Sequence, residues 1–308
     1  MATPKVALII PVRNGEPHMA RMLPALRAQS LQPDEILIID SASTDNSVRL
    51  WREFGARVVS IDAATFNHGG TRALAAGMVQ ADVLIYMTQD AIPLPPDAFK
   101  RLVAGLYAAE DIGVAYGRQV PHPEAGLLAR HARAFNYPAQ GRIKRRADVP
   151  ELGIKTCFSS DAFCAYRADV LADVGGFPQD VIGSEDAHVA GRMLLAGYAV
   201  HYVGDAEASH SHDYSIAEEF RRYFDIGVFY SRESWIAQEF GGAGGEGGRF
   251  VRSELRALRA AGRTLDIPGV LLRSAGKFIG YRLGHLERHL PLALKRNLGM
   301  FTGYWRQP

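Results

Sequence analysis

Four short apolar runs, separated by stretches of helical periodicity, set the tightest limit on what this chain can fold into. Lys5–Val12 reads as a strand buried on both faces, and Glu35–Ile39, Arg57–Ile61 and Val83–Met87 repeat that pattern. The segments between them carry apolar residues on one helical face, as Met19, Met22, Leu23 and Leu26 do within Pro17–Gln29. Further helices are expected up to about Phe54, over Gly69–Met78 and over Pro96–Ala108. Strands alternating with helices of that length predict an α/β fold with a mostly parallel central sheet flanked by helices. Right-handed crossovers put the ligand crevice of such a sheet at the carboxyl ends of its strands. The polar residues after each strand therefore carry the information about function.

The second half is less regular. Residues 121–155 mix proline, glycine and basic residues and read as a mobile excursion, while Phe163–Arg167 reads as a strand and Ser184–Ala196 as a helix. From Ser215 the pattern is helical, broken by Gly241–Gly248, where six of eight residues are glycine. The expected organisation is an α/β domain over residues 1–214 and a helical, basic extension over residues 215–308. A net charge of +2 disfavours a uniformly basic nucleic-acid binder, but it hides a split. Arg249–Pro308 holds 12 Lys/Arg against 3 Asp/Glu, a net of +9, which leaves −7 for residues 1–248. In that extension Leu255, Leu258, Leu271, Leu272, Phe278, Ile279 and Leu283 lie beside Arg252, Arg256, Arg259, Arg263, Arg273, Lys277 and Arg282. Such helices either pack with a solvated basic face or rest on an anionic membrane, and the second arrangement is expected here. Two cysteines are too few to staple the chain, and no uncharged apolar stretch reaches membrane-spanning length. The apolar N-terminal run is short for a signal peptide. The expected location is the cytoplasm, at the inner face of the membrane.

Four constellations stand where chemistry is expected. Pro11-Val12-Arg13-Asn14-Gly15 closes the first strand, and Asp40 closes the second. A carboxylate at Asp40 can accept the imide N–H of a uracil or thymine ring, or simply cap a turn. Thr88-Gln89-Asp90-Ala91 closes the fourth strand, and an acid at that exit suits a divalent ion held against a diphosphate. Gly183-Ser184-Glu185-Asp186 opens a helix, whose dipole favours ionised carboxylates, and an ionised carboxylate in a crevice can act as a general base. His210 and His212, two apart on an extended segment, face one side and could ligate metal. A zinc site combining them with Cys157 and Cys164 is disfavoured, because that cysteine spacing matches no usual zinc knuckle. Taken singly, each constellation also has a plain reading as a turn, a cap or a satisfied polar group.

Together they resemble the family 2 glycosyltransferases, inverting enzymes of the GT-A fold. The resemblance rests on Ile9-Ile10-Pro11-Val12-Arg13-Asn14, Ile38–Asp45, Gln89-Asp90-Ala91, Glu185-Asp186 and His210, and it covers roughly residues 5–214. Phe66–Arg72, with Met87–Ala91, looks most like the rhamnosyltransferases that use dTDP-L-rhamnose. The resemblance implies a GT-A catalytic domain with a Rossmann-like nucleotide-binding half. It implies transfer of L-rhamnose from a nucleotide-sugar donor to a glycan or lipid-linked acceptor in bacterial surface polysaccharide synthesis. Pro11, Arg13, Asp40, Asn67, His68, Arg72, Gln89 and Asp90 would then bind the donor, with Asp40 reading the base. Asp90 matches the last acid of the family's Asp-x-Asp motif, Thr88 stands at the first, and His210 would join Asp90 on a Mg²⁺ or Mn²⁺ ion. Asp186 would be the base and Glu185 would orient the acceptor. A family member using a UDP- or GDP-sugar remains open, as does a non-catalytic nucleotide-sugar-binding module, which would have no need of Glu185-Asp186.

Overall fold

A computed structural model describes residues 3–242 and 245–306 of the chain. Its strands form one sheet: β1 (Val6–Val12), β2 (Glu35–Asp40), β3 (Arg57–Ser60), β4 (Val83–Met87), β5 (Ile92–Pro93), β6 (Ile112–Val120), β7 (Arg142–Lys144), β8 (Phe163–Arg167) and β9 (Ala199–Ser209). The spatial order is β3-β2-β1-β4-β8-β6-β9-β5, with β7 pairing β9. The first four helices are α1 (Glu16–Arg27), α2 (Ser47–Phe54), α3 (His68–Ala76) and α4 (Ala98–Leu106), all near their expected bounds. β3, β2, β1 and β4 are mutually parallel, and Leu8, Ile9, Ile10, Ile38 and Ile39 are fully buried within them, as unbroken apolar runs require. Beyond β4 the sheet is mixed rather than parallel: β8 inserts antiparallel between β4 and β6, while β6 and β9 pair in parallel.

Residues 121–155 are ordered, contrary to the mobile excursion their composition suggests. They hold α5 (Leu127–Asn136), β7 and α6 (Val149–Leu152). Their basic residues are tied down, Arg142 to Glu151 at 2.6 Å and Arg145 to Asp111 at 2.6 Å. Next come α7 (Ala168–Asp173) and α8 (Glu185–Leu195). The C-terminal helices are α9 (Ile216–Arg232), α10 (Ser234–Phe240), α11 (Glu246–Ala260), α12 (Ile267–His285) and α13 (Leu292–Leu298). Of the glycine-rich loop expected at 241–248, Ala243 and Gly244 lie outside the described residues, and Gly247 and Gly248 are already helical.

The boundary expected at residue 214 is not a break in the core. Phe224, Val228, Phe229, Ile236, Phe240 and Trp305 are buried in one cluster with Ile9, Tyr86, Tyr166 and Met193, so the C-terminal helices cover apolar surface of the sheet domain. α9 and α12 meet backbone to backbone. A Cβ on Gly280 would stand 2.4 Å from the Phe220 carbonyl oxygen, and one on Gly284 2.1 Å from that of Phe224. Two of the expected surface cations point inward, since Arg273 and Lys277 pair with Glu219 at 2.9 and 3.0 Å. No helix among the described residues is long and apolar enough to cross a membrane.

Candidate active site

The ends of β1, β2, β4 and β9 and the start of α8 carry the expected constellations, and side chains lock the loops between them. Asn14 Oδ1 accepts from Thr44 N, Asn14 N donates to Ser43 Oγ, and Gly15 N donates to Ser47 Oγ, each at 2.8 Å. Asn14, Ala42 and Ser184 are the non-glycine residues of positive φ (50°, 57° and 59°) among the described residues. They follow β1, follow β2 and open α8, and backbone strain of this kind concentrates at functional sites. Asp40 is buried at the end of β2, level with Val12, and its carboxylate accepts from Ser43 N at 3.2 and 3.3 Å. Pro11 pairs with Ile39 in the same ladder, and Arg13 is exposed at its end.

Four residues expected to meet a ligand also have partners within the protein. Gln89 stitches two loops together, accepting from Arg13 N at 2.8 Å and donating to Arg13 O at 3.1 Å. Asn67 caps α3 by accepting from Gly70 N at 2.9 Å, and donates to Val181 O at 3.2 Å. Arg72 is buried, with Nε 3.0 Å from Asp161 Oδ2 and Nη1 2.8 Å from Glu185 Oε1. Glu185 thereby spends one carboxylate oxygen on Arg72. A close approach makes this possible: a Cβ on Gly69 would stand 1.9 Å from the Pro178 carbonyl oxygen.

Asp161 is the residue that the sequence did not reveal. Its Oδ1 accepts from Tyr166 OH at 2.7 Å and from Cys164 Sγ at 3.1 Å. Three carboxylates, Asp161, Glu185 and Asp186, thus share the field of the single Arg72 guanidinium. Burial would raise Glu185, but the Arg72 charge and then His68 hold it below its usual range. Burial, then the charges of Asp161 and Glu185, pushes Asp186 up to about 8. This corrects the expectation that both carboxylates at the head of α8 stay ionised, because a helix dipole is weaker than burial beside two anions. Asp186 remains partly exposed, with Oδ1 accepting from Ala187 N at 2.7 Å and Oδ2 from Asp161 N at 3.3 Å.

The exits of β4 and β9 bring Asp90, His210 and His212 together, their donor atoms lying within 4.8 Å of one another. Burial would raise the Asp90 carboxyl, but His210, then His212 and Thr88, hold it well below the usual carboxylate range. Burial, then His210, Arg133 and Arg222, lowers His212 to about 4, so its ring is neutral at physiological pH. Arg133 donates to the His210 carbonyl oxygen at 2.7 Å. Arg222, on α9, is exposed with its guanidinium 5.8 Å from the Tyr214 ring. Burial, and then the Arg72 and Arg222 charges, lowers His68, whose ring meets Phe301 edge-on at 4.5 Å. Met300 N and Phe301 N donate to Asp225 Oδ2 at 2.8 and 2.9 Å, which fixes that contact. Phe301, which follows α13, thereby reaches His68 from the far end of the chain.

A parallel nucleotide-binding half-sheet, an acid at the β4 exit and paired carboxylates opening α8 define a glycosyltransferase of the GT-A type. Residues 7–175 match the Glycosyl transferase family 2 model, and the chain belongs to that family. It is 45% identical to the O-antigen chain rhamnosyltransferase RfbN of Salmonella typhimurium, over 98% of this chain and 96% of that protein. It is 41% identical to the O-antigen chain rhamnosyltransferase WbaN of Salmonella anatum, again over 98% and 96%. A mannosyltransferase from Pyrobaculum calidifontis, solved with GDP-Man and Mn²⁺, superposes with a TM-score of 0.66 at 18% identity, covering 94% of this chain and 89% of that one. TarS 1-349 of S. aureus superposes at 0.52 with 14% identity, covering 92% and 91%. These two structural likenesses bear on the fold alone.

Proposed function

We propose that the chain transfers L-rhamnose from dTDP-L-rhamnose, with inversion, to a glycan or lipid-linked acceptor during bacterial surface polysaccharide synthesis. The observation that carries this reading is near-full-length similarity to two O-antigen chain rhamnosyltransferases. In this mechanism Asp40 and the loops after β1 and β2 take the pyrimidine base. Arg13 and Arg222, both exposed cations, face the diphosphate, and His68 meets the sugar. The imidazole and carboxylate donors of His210, His212 and Asp90 suit a divalent ion, which when bound neutralises charge on the departing nucleoside diphosphate. Asp186 takes the proton of the acceptor hydroxyl. The acceptor oxygen bonds to the anomeric carbon from the face opposite the phosphate, the carbon–phosphate-oxygen bond breaks, and the configuration inverts. Asp161 and Glu185, both held by Arg72, position Asp186, and their charges raise its affinity for that proton.

Thermal unfolding with dTDP-rhamnose, UDP-glucose and GDP-mannose tests the donor. The largest upward shift is expected with dTDP-rhamnose, and an equal or larger shift with UDP-glucose would overturn that assignment. The outward face of α12 is the proposed contact with an anionic membrane at the inner side of the cell. Leu271, Leu272, Phe278 and Ile279 recur there at helical spacing, with Leu272 62% and Phe278 66% exposed, and exposed Arg282 continues the face.

A further inference from the structure

The three donor atoms at the β4 and β9 exits have the spacing of ligands on a single ion. His212 Nε2 lies 3.1 Å from His210 Nε2, and the two lie 3.5 and 3.4 Å from Asp90 Oδ2. Atoms bound at about 2.1 Å to one ion stand roughly 3.0 Å apart at a right angle and roughly 3.4 Å apart at the tetrahedral angle. The rings are also held for ligation. His210 Nδ1 donates to Gln119 Oε1 at 2.9 Å, which leaves the Nε2 lone pair directed at the other two donors. Gln119 is buried and donates in turn to Ser160 Oγ at 2.7 Å. His212 stacks on Tyr214 with centroids 4.9 Å apart. Thr88, where the family motif has its first carboxylate, offers only a hydroxyl.

We propose that His212 replaces that missing carboxylate as a resident ligand, giving a two-imidazole, one-carboxylate centre that selects a first-row transition ion such as Mn²⁺ or Co²⁺ over Mg²⁺. The inference rests on the metal reading of Asp90 and His210, and is independent of the donor sugar. Imidazole suits transition ions, whereas Mg²⁺ prefers oxygen donors and sheds its water reluctantly. Gln119 acts as a positioning residue for His210.

The test is calorimetry of the metal-stripped full-length protein with Mn²⁺, Co²⁺ or Mg²⁺ alone, supported by the visible absorption of bound Co²⁺. The parent should bind Mn²⁺ and Co²⁺ at least about tenfold more tightly than Mg²⁺. His212→Gln and His212→Ala should each lose at least about tenfold in Mn²⁺ and Co²⁺ affinity and change the Co²⁺ spectrum, with little effect on Mg²⁺. Gln119→Leu should weaken the same ions by about 10–100-fold. If either folded His212 variant binds Mn²⁺ as the parent does, while Asp90→Asn does not, the His212 assignment is wrong and the metal reading stands. If the parent binds no divalent ion, both fail. A parent that binds Mg²⁺ as tightly as Mn²⁺ refutes the selectivity.

Discussion

Replacing Asp186 by Asn should make the protein more stable at neutral pH while removing its activity. The side chain keeps its shape but can no longer carry charge. Burial and its two anionic neighbours push Asp186 up to about 8 in the folded chain, against an ordinary aspartate value of 3.8. Between those limits the folded state holds about one proton more than the unfolded state, so stability falls by about 1.4 kcal/mol for each unit the pH rises. The neutral amide has no such slope. From pH 5 to pH 7 the variant should gain roughly 2–3 kcal/mol on the parent if Asp186 alone holds the proton, and less if Asp161 shares it. For a chain of this size that is roughly 3–5 °C in unfolding temperature. Thermal unfolding of both proteins at pH 5 and pH 7, followed by circular dichroism, reads the gap directly. Donor-induced stabilisation should survive, while transfer falls at least about a hundredfold. Unfolding curves that stay parallel across that range would refute the electrostatic argument. A variant that transfers sugar within a few-fold of the parent rate would remove Asp186 as the base.

Because Asp186 must be ionised to accept a proton, the transfer rate of the parent should climb as pH rises toward about 8, and a flat profile from pH 6 to 8 would contradict this. Gly69→Ala forces a Cβ onto the Pro178 carbonyl; a loss of about 1–3 kcal/mol or more is expected, and an unchanged unfolding temperature would show the contact relaxes freely. Phe278→Glu combined with Ile279→Glu should abolish flotation with vesicles rich in anionic lipid yet leave transfer to a soluble acceptor intact. Parent binding to those vesicles should weaken with salt. Undiminished flotation of the double variant would move the membrane contact elsewhere.

The parallel half of the sheet was legible because β1, β2 and β4 are covered on both faces and so appear as unbroken apolar runs. β6 and β9 left no such trace. β9 spans Ala199–Ser209 with Gly204, Asp205 and Glu207 inside it, and it is a strand because β5, β6 and β7 pair with it. Tertiary pairing there overrides local preference. His210 and His212 were visible through their alternate spacing, and Asp90 through its place after a buried strand. Asp161 was not, since its role depends on Arg72 and Tyr166 meeting it through the core. For the same reason the partners that folding supplies to Arg72, Asn67 and Gln89 were not legible in the sequence.

The clasp between Asp225 and the Met300–Phe301 backbone has a consequence for how the protein comes into being. His68 is translated long before Phe301, the ring that later closes against it. A nascent chain still threaded through the ribosome can lay down the strands of its first half, but it lacks the final wall of its own crevice. A message truncated before that codon would yield a protein with every polar residue of the chemistry and no finished cleft. A frameshift near the end of the gene would leave the strands and polar residues of the first half in place and remove the ring that meets His68.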